Sequence, residues 1–307
     1  MPKTIAVTGA TGFIGAAVVR RLSALGSIRT IANARKRPPG GASQVTWIES
    51  SLGNLRSDHW ESAGASRLDA LLHLAAFIPK RASDHGRVED VLESNVAGLN
   101  ALLKSLPQPP RRFVFCSTID VYSEKAFQAP LNEGSPVGPS GLYGASKLFG
   151  ETLVGCYANA AGAEYVVLRL GHVYGPGEDR YAKLIPETIR RVLGGQPPTL
   201  YGEGLDRRDF LYVEDAAEAI IRAASVPLNG TSLVNVACGT SVTVREIMRA
   251  INRELGHDES WFTKAAGSTA RSVVVDPSLM RQLLGEWSTV PLDEGLRREI
   301  AWFQARP

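Results

Sequence analysis

A tyrosine and a lysine stand four positions apart, at Tyr143 and Lys147. On a helix, residues at this spacing share one face, so the phenol and the ammonium would lie side by side. A free tyrosine has a pKa of about 10, too high for a base at neutral pH, and a neighbouring cation lowers that pKa by favouring the phenolate. Tyr143 could then remove a hydroxyl proton as hydride leaves the carbon, or return a proton to a ketone in the reverse reaction.

A hydroxyl-bearing segment lies upstream of this pair. Ser117 and Thr118 directly follow the apolar run Phe113–Cys116, which has the character of a buried strand. Residues at the carboxyl end of a parallel strand face the ligand crevice of an open sheet. Thr118, or alternatively Ser117, could therefore hydrogen-bond the reacting oxygen. A phenol, an ammonium and a hydroxyl together predict a site for hydride transfer at a hydroxyl or ketone.

A glycine-rich turn follows the first apolar strand and opens an amphipathic helix, with the spacing Gly-x-x-Gly-x-x-Gly between Gly9 and Gly15. Small residues are needed where a pyrophosphate must approach the backbone closely. The helix N-terminus then offers unpaired N–H groups and a partial positive charge. The turn predicts a dinucleotide site. We assign to the cofactor Gly9, Thr11, Gly12, Phe13, Ile14 and Gly15.

The end of the second predicted strand bears on the choice between NAD and NADP. An acid there would bind the ribose 2′-hydroxyl, whereas an arginine would favour a 2′-phosphate. The run Ala32–Arg37 contains no acid and ends in three cations. Arg35 can make a forked contact with phosphate. We therefore expect Asn33 and Arg35 to contact the cofactor, and NADP to be preferred over NAD.

Strand-like apolar runs alternate with helix-like stretches over the first half of the chain. This alternation indicates a Rossmann-type doubly wound parallel sheet in an α/β fold. Glycine and proline become frequent after residue 171, which indicates a smaller C-terminal α/β lobe for the substrate. We expect a dinucleotide-binding domain over 1–170 and a substrate lobe over 171–307, with some segments returning to the first domain. The run Thr243–Glu246 has the capping-box pattern and predicts a helix start.

Composition argues against several classes of function. The 307 residues carry a net charge of only +3 and no basic stripe, so we predict no nucleic-acid partner. No apolar run reaches the roughly 18 residues that span a bilayer, so no membrane association is expected. Cys116, Cys156 and Cys238 are widely spaced and form no Cys-x-x-Cys pair, so neither a metal site nor a disulfide framework is indicated. A reduced, cytoplasmic protein fits these features.

Taken together, these motifs resemble the extended short-chain dehydrogenase/reductase family, in particular its NAD(P)-dependent nucleotide-sugar epimerase/dehydratase branch. The resemblance runs through most of the chain, and the order and spacing of its parts are specific to that family. The matching segments are Gly9–Gly15, His73–Ala76, Asn95–Gly98, Ser117–Tyr122, Tyr143–Lys147, Leu168–Gly177 and Arg208–Asp215.

The resemblance implies roles for several residues. Tyr143 matches the family's acid/base, Lys147 the residue that holds the nicotinamide ribose, and Thr118 the residue that orients the substrate oxygen. Three further stretches concern the cofactor and the assembly. Ala75 and Ala76 match a strand end against the cofactor, and Leu74 is assigned to the cofactor with them. Asn95 lies on the family's central helix, where it is more often structural than catalytic, and it is included with the cofactor residues. Family members commonly form homodimers through the helices near Asn95–Leu106 and Tyr143–Asn159.

On the substrate side, Arg208 matches a position that often contacts the nucleotide diphosphate. His172 stands where epimerases often carry an asparagine that helps to hold the nucleotide, and it could still donate a hydrogen bond. Lys264 or Arg271 could replace a late arginine on the diphosphate, since this chain has Ala266 at the matching position, although either is more simply a surface charge. Asp120 follows Thr118 by two residues and is included with the substrate residues. The pair Ile119-Asp120 replaces the Asp-Glu pair of 4,6-dehydratases, so dehydration is not expected.

The resemblance predicts an NAD(P)-dependent oxidoreductase or epimerase acting on a hydroxyl or ketone of a nucleotide-linked sugar. The sequence leaves open whether it is an epimerase, which returns hydride to the opposite face, or a 4-ketoreductase, which uses external cofactor. Two alternatives also stay open. One is an NADPH-dependent reductase of a small or aromatic ketone, similar to dihydroflavonol reductases. The other is a non-catalytic NADP-binding regulator.

Overall fold

The computed structural model describes residues 3–79, 86–179, 182–267 and 272–306. Seven parallel strands form its central sheet, in the order β10-β6-β5-β4-β1-β2-β3. These strands are almost wholly buried, as in parallel sheets covered on both faces. Their bounds are β1 Lys3–Thr8, β2 Ile28–Ala34, β3 Val45–Glu49, β4 Ala70–His73, β5 Arg112–Thr118, β6 Glu164–Leu170 and β10 Leu233–Val236.

Helices cover both faces of this sheet. They are α1 Phe13–Ala24, α2 Ser57–Ser62, α3 Val88–Val91, α4 Gly98–Ser105, α5 Leu142–Ala161, α6 Leu184–Leu193, α7 Val213–Ala223, α8 Val244–Glu254, α9 Ser278–Leu284 and α10 Leu292–Gln304. On one face, α1 and α7 pack together through Val18 and Ile220. On the other, Leu102 of α4 and Val154 of α5 bury a separate apolar cluster. This arrangement confirms the predicted doubly wound fold.

The second half of the chain contributes two small sheets. One has the order β11-β9-β7, and the other pairs β12 with β8. The bounds are β7 His172–Tyr174, β8 Thr199–Tyr201, β9 Arg207–Tyr212, β11 Ser241–Thr243 and β12 Thr263–Ala265. Strand β10 returns to the edge of the central sheet, where it pairs with β6.

Two local features bear on the site. The capping box before α8 is formed, because Thr243 Oγ1 accepts from the Glu246 amide at 3.1 Å and the Glu246 carboxylate accepts from the Thr243 amide at 2.7 Å. Between α3 and α4 the helix runs as a π-helical stretch, Leu92–Ala97. Such stretches are frequent near functional sites. No helix in the described parts of the chain has the length and apolar character to cross a bilayer.

Candidate active site

A cavity of about 1990 Å³ opens at the carboxyl ends of the central strands. Two surfaces bound it. One, the glycine wall, comprises residues 9–15, 33–35 and 74–78. The other, the lobe wall, comprises residues 172–179, 182–191 and 198–208, of which only part face the cavity. Thr118, Tyr143 and Lys147 lie where these two surfaces meet the end of β5.

The glycine wall is made of backbone at close range. Gly9 has a φ of +69°, and a Cβ there would lie 2.7 Å from the Ala75 nitrogen. A Cβ on Gly15 would collide with the Gly9 carbonyl oxygen. Helix α1 begins after Gly12 with no side-chain cap and no acid in its first turn. Its free N–H groups therefore face the cavity as an anion site, which fits the pyrophosphate of a dinucleotide.

The carboxyl end of β2 reaches the same cavity. The side-chain Nδ2 of Asn33 donates to the Ile48 and Ser50 carbonyls, at 3.2 and 3.0 Å, so it fixes β2 against β3 and the residue that follows β3. Arg35 is exposed and lines the cavity. None of the hydrogen bonds or ion pairs found among the described residues involves its side chain.

The three residues predicted to be catalytic, Thr118, Tyr143 and Lys147, line the cavity near the end of β5. Thr118 Oγ1 accepts from the Asp120 amide at 3.2 Å. Helix α5 comes so close to this turn that a Cβ on Gly144 would strike the Asp120 carbonyl oxygen. Gly144, which lies between Tyr143 and Lys147 in sequence, therefore lets the start of α5 pack closely against the turn that follows Thr118.

Lys147 is buried, with 3% of its surface exposed, and its Nζ lies 4.3 Å from the centre of the Phe115 ring. Desolvation lowers the pKa of this ammonium to about 8, while Cys116 and Glu151 act in the opposite direction. Burial raises the pKa of the Cys116 thiol to about 12, so the thiol stays protonated at neutral pH. The Lys147 ammonium therefore loses its proton more readily than the ammonium of an exposed lysine does.

A buried histidine that we had not assigned a role lies beneath this group. His73 stacks on Phe115 at 5.6 Å between ring centres, and its Nδ1 lies 2.8 Å from Thr8 Oγ1. Burial, and secondarily the charge of Lys147, hold the pKa of His73 well below its usual value. It is therefore a neutral ring that adds no second cation below Lys147.

The lobe wall carries charged side chains fixed by their neighbours. Arg208 lines the cavity with its Nη2 3.7 Å from Asp206 Oδ2. The next residue, Asp209, is fully buried and accepts from the Cys238 and Gly239 amides at 2.9 and 2.7 Å. Asp209 thereby fixes β9, the strand that carries Arg208, to the turn after β10.

The sequence model of the NAD dependent epimerase/dehydratase family matches residues 5–237. A UDP-glucose 4-epimerase of Mycolicibacterium smegmatis is 28% identical over 316 residues, which cover 97% of this chain and 97% of that protein. A dTDP-glucose 4,6-dehydratase of the same organism is 29% identical over 317 residues, covering 97% and 92%. A crystal structure of UDP-glucuronic acid 4-epimerase from Bacillus cereus, in complex with UDP-glucuronic acid and NAD, superposes with a TM-score of 0.85 at 25% identity, over 98% and 99% of the two chains.

The chain belongs to the NAD-dependent epimerase/dehydratase family. The matched region extends through both walls of the cavity and past β10. The prediction of an NAD(P)-dependent enzyme of this family, built on a Rossmann-type sheet, is confirmed. The glycine wall fits the cofactor of the family, because Gly9 and Gly15 let the loop pack closely on the strand ends and the uncapped start of α1 faces the cavity.

Most of the predicted site residues line this one cavity. They are Gly9, Thr11, Gly12, Phe13, Ile14, Gly15, Asn33, Arg35, Leu74, Ala75, Ala76, Thr118, Asp120, Tyr143, Lys147, His172 and Arg208. Arg271 lies outside the described residues. Lys264, which carries a charge in the same region of the sequence, is 70% exposed, lies 4.0 Å from Glu203, and does not line the cavity.

Asn95 is a correction to the expected cofactor set, because it is buried and does not line the cavity. Its Oδ1 accepts from the Phe77 amide at 2.7 Å, and its Nδ2 donates to the Phe77 carbonyl and to Ser146 Oγ, both at 3.0 Å. Ser146 Oγ in turn donates to the Tyr143 carbonyl at 2.7 Å. Asn95 therefore joins the chain after β4 to α5, the helix that carries Tyr143 and Lys147.

Sequence reasoning missed other residues of the lobe wall. Lys183 and Glu178 both line the cavity and form an ion pair of 2.7 Å, and Arg191 lines it from α6. Phe77 and Ile78 line it beside Ala76. The frequent charged residues in and beside α6 could have drawn attention to Lys183, Glu178 and Arg191. Whether these side chains face the cavity depends on how the lobe folds over the sheet.

Proposed function

We propose that this protein catalyses reversible hydride transfer at a hydroxyl or ketone of a nucleotide-linked sugar, either as an epimerase or as a 4-ketoreductase. The observation that carries the proposal is the meeting of Thr118, Tyr143 and Lys147 at one end of a cavity with a dinucleotide-fitting wall. Support comes from the relatives, which are named as nucleotide-sugar epimerases and dehydratases.

The three side chains would divide the proton chemistry between them. Tyr143 removes the proton of the substrate hydroxyl, and Thr118 holds the oxygen that loses it. Lys147 supplies the positive charge that favours the phenolate of Tyr143. The bound nicotinamide cofactor supplies the site that accepts or donates the hydride. In the reverse direction Tyr143 returns the proton to the ketone oxygen.

The substrate's diphosphate would lie against the lobe wall. Arg208 is a fixed guanidinium there and can contact two phosphate oxygens at once. The similar Bacillus cereus enzyme binds UDP-glucuronic acid, and a Thermotoga maritima UDP-glucose 4-epimerase of known structure binds UDP-glucose. Dehydration is disfavoured because Ile119, an apolar and buried side chain, stands where an acid would be needed.

The preference for NADP over NAD is a separate proposal, supported by the end of β2. No acid follows β2, and Arg35 lies on the cavity wall without an ion pair among the described residues. A 2′-phosphate would give this guanidinium a partner. The Bacillus cereus structure holds NAD, so the relative affinity for the two cofactors needs direct measurement.

We also propose a homodimer built on the helical face that carries α5. Leu142 and Phe149 of α5 are 36% and 50% exposed, and Val88 and Leu92 of the neighbouring helix are 41% and 49% exposed. A second copy of the chain would remove these apolar side chains from water. Sedimentation equilibrium of the purified protein would test this, with Phe149→Asp expected to give monomers. The predicted cytoplasmic location stays a prediction.

A product panel tests the main proposal. The protein is incubated with UDP- and dTDP-linked sugars and their 4-keto forms, with NAD or NADPH, and products are identified by mass spectrometry and NMR. An epimerase interconverts two sugar isomers without net cofactor use and purifies with cofactor bound. A reductase consumes one NADPH for each ketone reduced. Turnover of small aromatic ketones alone, or tight NADPH binding with no turnover, would overturn the proposal.

A further inference from the structure

A buried ion pair lies directly below the catalytic residues. Arg169 of β6 donates from Nε and Nη2 to the two carboxylate oxygens of Glu151, at 3.0 and 2.7 Å. The two side chains are 5% and 10% exposed. Such a fork is the strongest form of the arginine–carboxylate interaction. Glu151 lies on α5 one turn after Lys147, so the pair is built into the same helix face as the catalytic cation.

The carboxylate of Glu151 has a third partner at the end of β5. Ser117 Oγ donates to Glu151 Oε1 in a short hydrogen bond. Ser117 immediately precedes Thr118, so the same carboxylate holds the strand that presents Thr118 and the helix that presents Tyr143. Because Arg169 lies on β6, its ion pair with Glu151 also joins β6 to β5 and α5.

A series of contacts leads from Arg169 to β10 at the edge of the sheet. The Arg169 guanidinium lies 4.7 Å from the centre of the Tyr122 ring, and the Tyr122 hydroxyl donates to Asn235 Oδ1 at 2.7 Å. Asn235 belongs to β10, and its amide nitrogen donates to the Glu133 carboxylate at 2.7 Å. The ion pair is therefore braced on both sides and has little freedom to rotate.

The charged surroundings of Lys147 give Glu151 a second effect. Cys116 of β5 and His73 of β4 face the ammonium, and both are neutral at neutral pH because burial opposes their ionisation. Tyr143 is the group whose proton Lys147 must help to release. Glu151, shared with Arg169, is the carboxylate among the groups that act on the Lys147 pKa, and it opposes the effect of desolvation.

We infer that Glu151 is a positioning residue for the hydride-transfer site. Its carboxylate fixes the end of β5, and with it Thr118, against α5 and places a negative charge one helical turn from the buried Lys147 ammonium. The positioning of Thr118 rests on the proposed function, whereas the effect on Lys147 concerns the chain alone and can be measured without substrate.

The test uses Glu151→Gln, which keeps the size of the side chain and removes its charge. In protein with ¹³C-labelled lysine, NMR titration reports the pKa of Lys147, assigned by the loss of its signal in Lys147→Met. We expect this pKa to fall by at least about one unit, which corresponds to about a tenfold loss of the charged form at a given alkaline pH. The alkaline limb of the kcat profile should move to lower pH by the same amount, with NAD(P)H affinity at slightly acid pH nearly unchanged.

Glu164→Gln is the matched control, because Glu164 pairs with the buried Arg112 at 2.6 Å across the amino ends of the same two strands. It should change thermal stability without moving the Lys147 pKa. If Glu151→Gln does not fold, Glu151→Gln with Arg169→Gln removes both charges. The double variant should keep the Lys147 pKa below that of the parent, by less than the single change would.

A Lys147 pKa that stays at the parent value in these variants, with kcat reduced equally at every pH, would assign Glu151 to the fold alone and overturn the inference. That result with active parent enzyme leaves the proposed function intact. A parent that turns over no nucleotide sugar would instead defeat the proposed function, while the NMR titration would still decide whether Glu151 sets the charge of Lys147.

Discussion

The two walls of the cavity are made in different ways. The glycine wall is backbone from a single loop and two neighbouring strand ends, packed so tightly that Gly9 and Gly15 have no room for a Cβ. The lobe wall carries several long charged side chains. Lys183 pairs with Glu178, Arg208 lies near Asp206, and Arg191 donates to the Pro197 carbonyl. A surface that must meet an invariant pyrophosphate can be rigid backbone, whereas a surface that selects a sugar nucleotide needs variable side chains.

The largest loss of activity is expected for a change where the two walls meet. Tyr143→Phe removes the proton donor and acceptor while keeping the ring, so kcat should fall at least about a hundredfold, the lower range for one acid/base group. The affinity for NADPH, measured by nicotinamide fluorescence, should be nearly unchanged because neither wall is altered. Equal activity in Tyr143→Phe and the parent would show that Tyr143 takes no part in the chemistry. The place where the two walls meet would then not be the reaction site.

The next largest effect is expected on the glycine wall. Gly15→Ala places a methyl group against the Gly9 carbonyl oxygen, an overpacking that typically costs about 1–3 kcal/mol. Cofactor affinity, measured by calorimetry, should fall about tenfold to a hundredfold, with a lower melting temperature. Gly86→Ala is the control, since a Cβ there meets no atom within 4 Å. Unchanged cofactor binding in Gly15→Ala would show that this wall is not made by close backbone approach.

A smaller and more selective effect is expected on the lobe wall. Arg208→Ala removes a charge-assisted contact, typically worth about 1.5–3 kcal/mol. KM for the sugar nucleotide should rise about tenfold or more, whereas the Kd for the cofactor should stay at the parent value. Arg207→Ala is a neighbouring control, because Arg207 is exposed and donates to Ser241 away from the cavity. A loss of cofactor affinity in Arg208→Ala would contradict the assignment of the cofactor to the glycine wall and of the sugar nucleotide to the lobe wall.

The smallest effect concerns the outer edge of the glycine wall. Arg35→Ala should weaken NADPH binding several-fold and leave NADH almost unaffected, because the guanidinium is exposed and its contact with phosphate is screened by solvent. Competitive titration of both cofactors against each variant measures the ratio. Similar losses for NADPH and NADH would reject the 2′-phosphate contact and favour NAD as the cofactor.

The glycine wall was largely predictable because its determinants are local. Gly9, Gly12 and Gly15 follow a strand and open a helix, and that order alone fixes a turn with free N–H groups. The same holds for Tyr143 and Lys147, since a four-residue spacing on a helix places them together. The resemblance indicated that Asn95 is more often structural than catalytic, but only the folded chain shows the hydrogen bonds to Phe77 and Ser146 through which it would act.

The sequence by itself determined the parallel sheet, the glycine-rich turn before α1 and the placement of Tyr143 and Lys147 on one helix face, because each follows from periodicity or spacing within a few residues. Only the tertiary structure decided that Glu151 meets Arg169 and Ser117 below Lys147, and that Lys183, Glu178 and Arg191 face the cavity. Those contacts join segments far apart in the chain. Their geometry depends on how strands align and how the lobe closes over the sheet, which no local pattern encodes.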